Sequence, residues 1–262
     1  MRYYSTNHGQ EPVDLAHALM QGQASDRGLF MPETVPPLET RLLRRARDLP
    51  YAELATEMLA PYAEGVFTRD ELAAICHDAY TYPIPLEHVR DRAHVLRLDQ
   101  GPTASFKDFA ARFMGRALGM LVRDRGRELL ILTATSGDTG SAVADAFHGV
   151  AGIRVLVLFP RAEVSDRQRK QMTTLGDNVA TMAVDGKFDD CQALVKRAFA
   201  DPDLASLNLS SANSINIGRL LPQSVYYVHA ALRLADVADG EPVVFAVPSG
   251  NFGDLMGGVL AA

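Results

Sequence analysis

The sequence predicts an α/β protein with mostly parallel sheets flanked by helices, preceded by a mainly helical N-terminal domain. Three observations carry that expectation. From about residue 95, apolar runs of strand length alternate with segments of helical spacing. The runs Leu129–Ala134, Ile153–Phe159 and Val243–Val247 are continuously apolar, as strands buried on both faces are. Before about residue 90 there is no such alternation. Two domains are therefore expected: a mainly helical one over 1–90 and an α/β region over 91–262.

Composition narrows the function classes. Hydrophobic residues make up 47% and charged residues 22%, a globular profile. A net charge of -6 argues against non-specific nucleic-acid binding and against anionic membrane. The opening Met1–Thr6 leads into no apolar run, and no run is long enough to span a bilayer. Cys76 and Cys191 are far apart and form no CxxC, so a reducing cytoplasm is expected and a disulfide framework is not. The seven histidines show no HExxH or paired-ligand spacing, His88 and His94 read as loop or surface residues, and no metal site is expected.

In order along the chain, Val13–Met20 gives a short helical pattern with Leu15, Ala18 and Leu19 as its apolar face. Asp26–Pro32 reads as a turn and a short extended piece, ended by Pro36-Pro37. Leu49–Tyr62 and Thr68–Tyr80 are two further helices; Thr68 with Glu71 has capping-box spacing. Pro83 and Pro85 mark a boundary. Val95–Leu98 is expected as a short strand before a helix from Lys107 to about Arg125. Leu129–Ala134 is a buried strand, followed by a helix through Val143, Ala146 and Phe147 to Gly149. Ile153–Phe159 is the next strand, closed by Pro160, and Ser165 with Gln168 caps the next helix. Val179–Val184 reads as a strand, Phe188–Ala200 as a helix, and Ser206–Leu209 as a short strand. A long helix over Ile215–Asp236 should kink near Pro222. Val243–Val247 is expected as the last buried strand. The chain stops inside an apolar helical pattern, Gly253–Ala262, without a stop signal, so a further C-terminal part of the natural protein is expected.

Chemistry concentrates at the ends of strands. Lys107 stands at a helix start, where the macrodipole favours negative charge, so it is oddly placed for a purely structural lysine. A lysine amine held in a partly dry pocket can attack a carbonyl and form a Schiff base. The alternative is a solvated lysine with its stem packed on Phe106. Two glycine-rich loops leave buried strands and enter helices, at the edge where open α/β sheets bind ligands. Thr135–Gly140 offers hydroxyls and N–H groups for a carboxylate, and Ser249–Gly253 offers a phosphate cradle. Neither is GxxxxGK[ST] or GxGxxG, and each alone is equally an ordinary strand-to-helix turn. Asn208–Arg219 is dense in amides and hydroxyls. It reads either as a helix-cap cluster, with Ser214 or Asn213 as cap, or as a second anion site using Arg219. A Schiff-base lysine, a phosphate cradle and a carboxylate cradle together are what a pyridoxal-phosphate enzyme acting on an amino acid needs.

At these residues the chain resembles the threonine synthase family, pyridoxal-phosphate enzymes of the tryptophan-synthase-β fold type, over nearly its whole length. The resemblance rests on Tyr4-Ser5-Thr6, Asp26-Arg27-Gly28-Leu29-Phe30, Gly101-Pro102-Thr103 with Phe106-Lys107-Asp108, and the segments Thr133–Gly140, Leu207–Arg219 and Val247–Asp254. Asp138 stands where other members of the fold type usually have asparagine, and that points to threonine synthases within it. The resemblance implies that Lys107 carries pyridoxal phosphate and acts as the general base. It implies that Gly250, Asn251, Phe252 and Gly253 hold the cofactor phosphate, with Asp254 ending that loop. Thr135, Ser136, Asp138 and Thr139 would face the substrate carboxylate and the ring, and Asn213, Asn216 and Arg219 the substrate phosphate. The serine or threonine that usually meets the pyridine nitrogen late in the chain has no match here, which agrees with an absent C-terminal part.

The implied reaction is conversion of O-phospho-L-homoserine and water to L-threonine and phosphate, by a carbon–oxygen lyase acting on a phosphate ester. The expected partner is that small-molecule substrate, with no nucleic acid and no membrane, and a monomer is the expected state. Two alternatives stay open: a related phospho-lyase releasing a 2-oxo acid, ammonia and phosphate, and an inactive fragment.

Overall fold

The structure is a computed structural model and describes residues 1–126 and 128–262. The N-terminal region begins with an antiparallel strand pair, β1 (Tyr3–Ser5) and β2 (Phe30–Pro32). Between them lies α1 (Leu15–Gln21), started by the Asp14 carboxylate accepting the His17 N–H at 2.7 Å. Helices α2 (Thr40–Ala46), α3 (Tyr51–Ala63) and α4 (Arg69–Ala79) follow. The Thr68–Glu71 capping box at the start of α4 is present as expected. Neither β1 nor α2 is foreseen in the sequence. Strand β1 is three residues long, and α2 has no side-chain cap at its start.

The parallel sheet has the order β7-β6-β5-β8. Its strands are β5 (Leu129–Ala134), β6 (Ile153–Pro160), β7 (Val179–Val184) and β8 (Leu209–Ser210), preceded in the chain by β3 (Leu86–Arg90), β4 (Ala93–Leu96) and α5 (Lys107–Arg125). Helices α6 (Asp138–Phe147), α7 (Asp166–Thr173), α8 (Phe188–Ala200), α9 (Ile217–Leu234) and α10 (Gly253–Ala261) complete the elements. Side chains alternate across β5. Ile131 joins the main core with α5, α6 and α9, whereas Leu132 and Ala134 pack with Cys191 and Val195 of α8. The main core continues without a break into α1, α3 and α4.

Three expected strands are corrected. Val95–Leu98 does not lead the parallel sheet: Ala93–Leu96 is β4, paired antiparallel with β3 in a separate hairpin. A short apolar strand reads the same in either setting, and its neighbour decides which one forms. Val243–Val247 is irregular rather than a buried strand, with Val244 93% exposed, because no strand among the described residues pairs with it. In place of Ser206–Leu209, Pro202–Leu207 is a 3₁₀ turn capped by Asp201, and only Leu209–Ser210 pairs with β5. Asp201 before Pro202 is a helix-start signal, and it overrides the strand reading.

Helix α9 is buried through most of its length and carries the main core toward the site. His229 on it is 5% exposed, lies against the Tyr51 ring at 5.2 Å, and has an unpartnered Nδ1. Burial, helped by the Arg233 charge, pulls its pKa down to about 4. A depressed folded-state pKa adds stability that is present above the unfolded value of 6.5 and lost as pH falls from there toward about 4. Urea unfolding at pH 7 and pH 5 should therefore differ, with His229 supplying up to about 3 kcal/mol over the full window. His229→Gln should flatten that dependence; a wild-type-like slope in the variant rules the assignment out.

Candidate active site

Four chain segments enter helices close together: 101–106 into α5, 135–137 into α6, 211–216 into α9, and 249–252 into α10. The first is closed by Asp108, which is fully buried. Its carboxylate accepts the Thr103 N–H at 2.9 Å and the Thr103 hydroxyl at 2.5 Å. The closed turn includes Ala104 in the left-handed region at φ 55°. Lys107 is the first residue of α5, and Asp108, the second, supplies the negative charge that this helix end favours.

From that turn the Lys107 side chain crosses to α6. Its Nζ lies 3.4 Å from Asp138 Oδ2 and 4.2 Å from the centre of the Phe106 ring. Burial pulls the amine below the usual lysine value. Asp138 opposes that shift, the buried Arg219 adds to it, and Asp254 opposes it. The amine itself therefore lies between the face of the Phe106 ring and the Asp138 carboxylate.

Of the Thr135–Gly140 group, Thr135 is 1% exposed and its hydroxyl accepts the N–H groups of Gly137 (3.0 Å) and Gly140 (2.8 Å). It shapes the loop by accepting these two N–H groups. A hydroxyl two residues ahead of the N–H it accepts makes a local turn. Ser136 and Asp138 are exposed and Thr139 half-buried at the same helix start.

The 211–219 segment divides the same way. Asn216 is fully buried and caps α9, accepting the Gly218 N–H at 2.9 Å while donating to Leu19 O (3.0 Å) and Ser211 O (2.9 Å). The cap is Asn216 rather than Ser214 or Asn213, and with its amide committed to the chain it is not free for a phosphate. Arg219 is 3% exposed, donates through Nη1 to Ala212 O at 2.7 Å, and leaves its Nε unpartnered. Burial pulls its pKa down to about 10. Among the described residues no carboxylate is within ion-pair distance of it. The Asn213 Oδ1 is also buried without a partner.

The 249–253 loop lies against that segment. Gly253 is needed there: a Cβ would sit 2.9 Å from Ser214 Cβ. Asp254, the next residue, accepts hydroxyl protons from Tyr226 (2.5 Å) and Tyr227 (2.7 Å) of α9. Gly250, Asn251 and Phe252 are exposed. The structure thus gathers Lys107, Asp138, Arg219, Asn213, Gly253 and Asp254, and commits Thr135 and Asn216 to the scaffold. Sequence reasoning missed Tyr226 and Tyr227, which read as core positions of a helix, and Gln168, whose amide reaches Asp138. Removing the buried hydroxyl with Thr103→Val should cost about 1.5–3 kcal/mol in urea unfolding, the range for hydrogen bonds to charged groups. Thr103→Ser should recover most of it.

Comparison with known proteins identifies the family. The profile "Pyridoxal-phosphate dependent enzyme" matches residues 82–262, and "Threonine synthase N terminus" matches residues 2–80. The chain is 44% identical to a threonine synthase of Haemophilus influenzae and 41% identical to one of Escherichia coli K12, in both cases over all of this chain and 60% of the relative. Among solved structures, a pyridoxal-phosphate-bound threonine synthase from Brucella melitensis superposes with a TM-score of 0.92 at 38% identity, over all of this chain and 57% of that one. Yeast threonine synthase superposes with a TM-score of 0.89 at 33% identity, over 99% of this chain and 55% of that one. The chain therefore spans about 60% of the length of the curated relatives it matches. With the lysine, the glycine loop and the sheet edge arranged as described, this chain belongs to the pyridoxal-phosphate-dependent enzyme family.

Proposed function

We propose that this chain carries the cofactor-binding part of a threonine synthase, which converts O-phospho-L-homoserine and water to L-threonine and phosphate. The observation that carries the reading is the position of Lys107 Nζ, half-buried, 3.4 Å from Asp138, with the unpaired guanidinium of Arg219 close enough to lower its basicity. Those groups fit pyridoxal phosphate. The amine is partly desolvated, the glycine loop opens at the N-terminus of α10, and Arg219 Nε and Asn213 Oδ1 are buried without partners. Lys107 would hold the cofactor, and Gly250, Asn251, Phe252 and Gly253 its phosphate, with Asp254 anchoring the loop to α9. When bound, the cofactor would supply an electron sink for carbanions at the amino-bearing carbon and at the carbon next to it.

The residues divide the remaining work. Lys107 Nζ takes the proton from Cα of the substrate and serves as the general base at the adjoining carbons. Asp138 holds the amine in place and sets how readily it gives up the proton. Arg219 attracts the γ-phosphate and stabilises it as it leaves, and only the amide N–H side of Asn213 could add to that. Ser136 and Thr139, at the start of α6, offer hydroxyls and N–H groups to the substrate carboxylate. Holding the substrate at both anionic ends keeps several carbons within reach of one amine. The same reading places an accessory region over 1–90 and the catalytic region over 91–262, and places the protein in the cytoplasm. Among the described residues no helix is long and apolar enough to cross a membrane.

Incubation with pyridoxal phosphate followed by borohydride should leave the cofactor fixed to Lys107, located by peptide mass, with no adduct in Lys107→Ala. No adduct in the wild type overturns the cofactor reading. Gly253→Ala should weaken cofactor capture by about tenfold, equivalent to about 1.4 kcal/mol. With O-phosphohomoserine, threonine and phosphate should appear in equal amounts; a 2-oxo acid in place of threonine replaces the reading with the eliminating phospho-lyase.

A further inference from the structure

Gln168 carries two tasks at once. On α7 it is the third helical residue, and its Oε1 accepts the Ser165 N–H at 3.2 Å and the Ser165 hydroxyl at 2.8 Å. The Ser165 oxygen in turn accepts the Gln168 N–H at 3.4 Å, completing a capping box. The other half of the same amide points to α6, where Nε2 donates to Asp138 Oδ1 at 2.6 Å. The second oxygen of that carboxylate, Oδ2, is the one that meets Lys107 Nζ at 3.4 Å. A carboxylate shared in this way has one oxygen tied to α7 and one facing the lysine.

The surroundings fix the amide in that role. Gly137, at φ 142°, leaves the space that the Gln168 side chain fills; any Cβ there would collide with it. Ser141 of α6 donates to the Gln168 carbonyl at 3.3 Å. Gln171, one turn on and on the same face, donates to Thr103 O at 3.5 Å, and so touches the turn that carries Lys107. Met172 beside it is 1% exposed. Helix α7 is therefore braced against both segments that meet at the lysine. Capping alone does not call for glutamine, because the box accepts glutamate equally. A glutamate would bring a second carboxylate against Asp138, whereas the amide offers it a proton.

We propose that Gln168 is a positioning residue that holds the Asp138 carboxylate against Lys107, so that α7 controls how closely the acid meets the amine. The proposal rests on the reading of Lys107 as the cofactor lysine only for its consequence in catalysis; the contact itself is a property of the cofactor-free chain. The charged groups acting on Lys107 come from three helices: Asp138 from α6, Arg219 from α9 and Asp254 from α10. Only the first is held by Gln168. Without that hold, Asp138 swings toward solvent and the lysine loses a neighbour that favours its ammonium form.

The test follows Lys107 by NMR after reductive ¹³C-methylation of the protein without cofactor. The sequence has four lysines, and the Lys107→Ala variant identifies the resonance. Gln168→Ala should lower the titration midpoint of Lys107 by about one unit, the small end of the range for a neighbouring opposite charge because Asp138 is half exposed. Asp138→Ala should lower it at least as far, and adding Gln168→Ala in that background should move it no further. Ser165→Ala, which breaks the same capping box, should leave it unchanged. Equal shifts for Ser165→Ala and Gln168→Ala would reduce Gln168 to a helix cap, and additive shifts in the double variant, or none in Gln168→Ala, would overturn the proposal. Should Gln168→Ala fail to fold, Gln168→Glu preserves the box and enters the same cycle; an effect on Lys107 that is identical with and without Asp138 would then overturn it. Because the readout needs no cofactor, a missing borohydride adduct on Lys107 would sink the cofactor assignment while leaving this contact to stand or fall by its own cycle.

Discussion

The buried carboxylate of Asp108 is the constraint from which the site is built. A carboxylate without solvent has to find hydrogen bonds within the chain, and burial pushes its pKa up while the Thr103 bonds pull it down. Both oxygens find donors on one residue, Thr103, and that choice closes the turn five residues upstream. The closed turn aims the preceding side chain, Lys107, away from the core in which Phe109, Ala110 and Ala111 are wholly buried. Helix α5 then carries the lysine on a rigid support, since Phe109 is surrounded by Tyr51, Tyr80, Tyr82 and Tyr226 at ring separations of 5.2 to 6.1 Å. Three of those rings come from the N-terminal third of the chain, so that region also braces the turn that carries Lys107.

Around the amine the charges are balanced against one another. A Schiff-base lysine has to give up its proton, yet a buried amine beside no anion at all would be poorly held. Here Asp138 and Asp254 favour the ammonium while burial and Arg219 disfavour it, with burial the largest effect. Burial pulls the pKa of Arg219 down, against the opposing charge of the more distant Asp108, and among the described residues no carboxylate pairs with it directly. Two tyrosine hydroxyls take up the Asp254 carboxylate, and burial beside that charge keeps both of them protonated.

The segments most readable in the sequence were those whose signal is local. The Thr68–Glu71 and Ser165–Gln168 boxes, the parallel run Leu129–Ala134 and the helix from Lys107 to Arg125 all appear as expected. Each states its conformation through periodicity or a cap. The misread segments lacked such a statement. Val95–Leu98 and Val243–Val247 are apolar runs whose pairing depends on what lies beside them, and a sequence carries no record of neighbours. At the site, Lys107, Asp138 and Arg219 were legible as residue types at strand-to-helix junctions. The inward turn of Thr135 and Asn216, and the reach of Gln168, were not, because a hydroxyl or amide in such a motif serves the backbone and a ligand equally well.

By itself the sequence determined the chemistry on offer: a lysine at a helix start, two glycine-rich turns, and a polar segment ending in arginine, on an alternating α/β frame. Those follow from residue identity and spacing along one helix or strand, which short-range sterics and hydrogen bonding dictate. Only the tertiary structure decided which of those groups share one volume and what each one's charge is worth there. The Lys107–Asp138 contact joins residues 31 apart in the chain, and Gln168 reaches Asp138 across 30. Desolvation, which dominates the titration of Lys107, Asp108 and Arg219 alike, is a property of the packed interior and of no single segment.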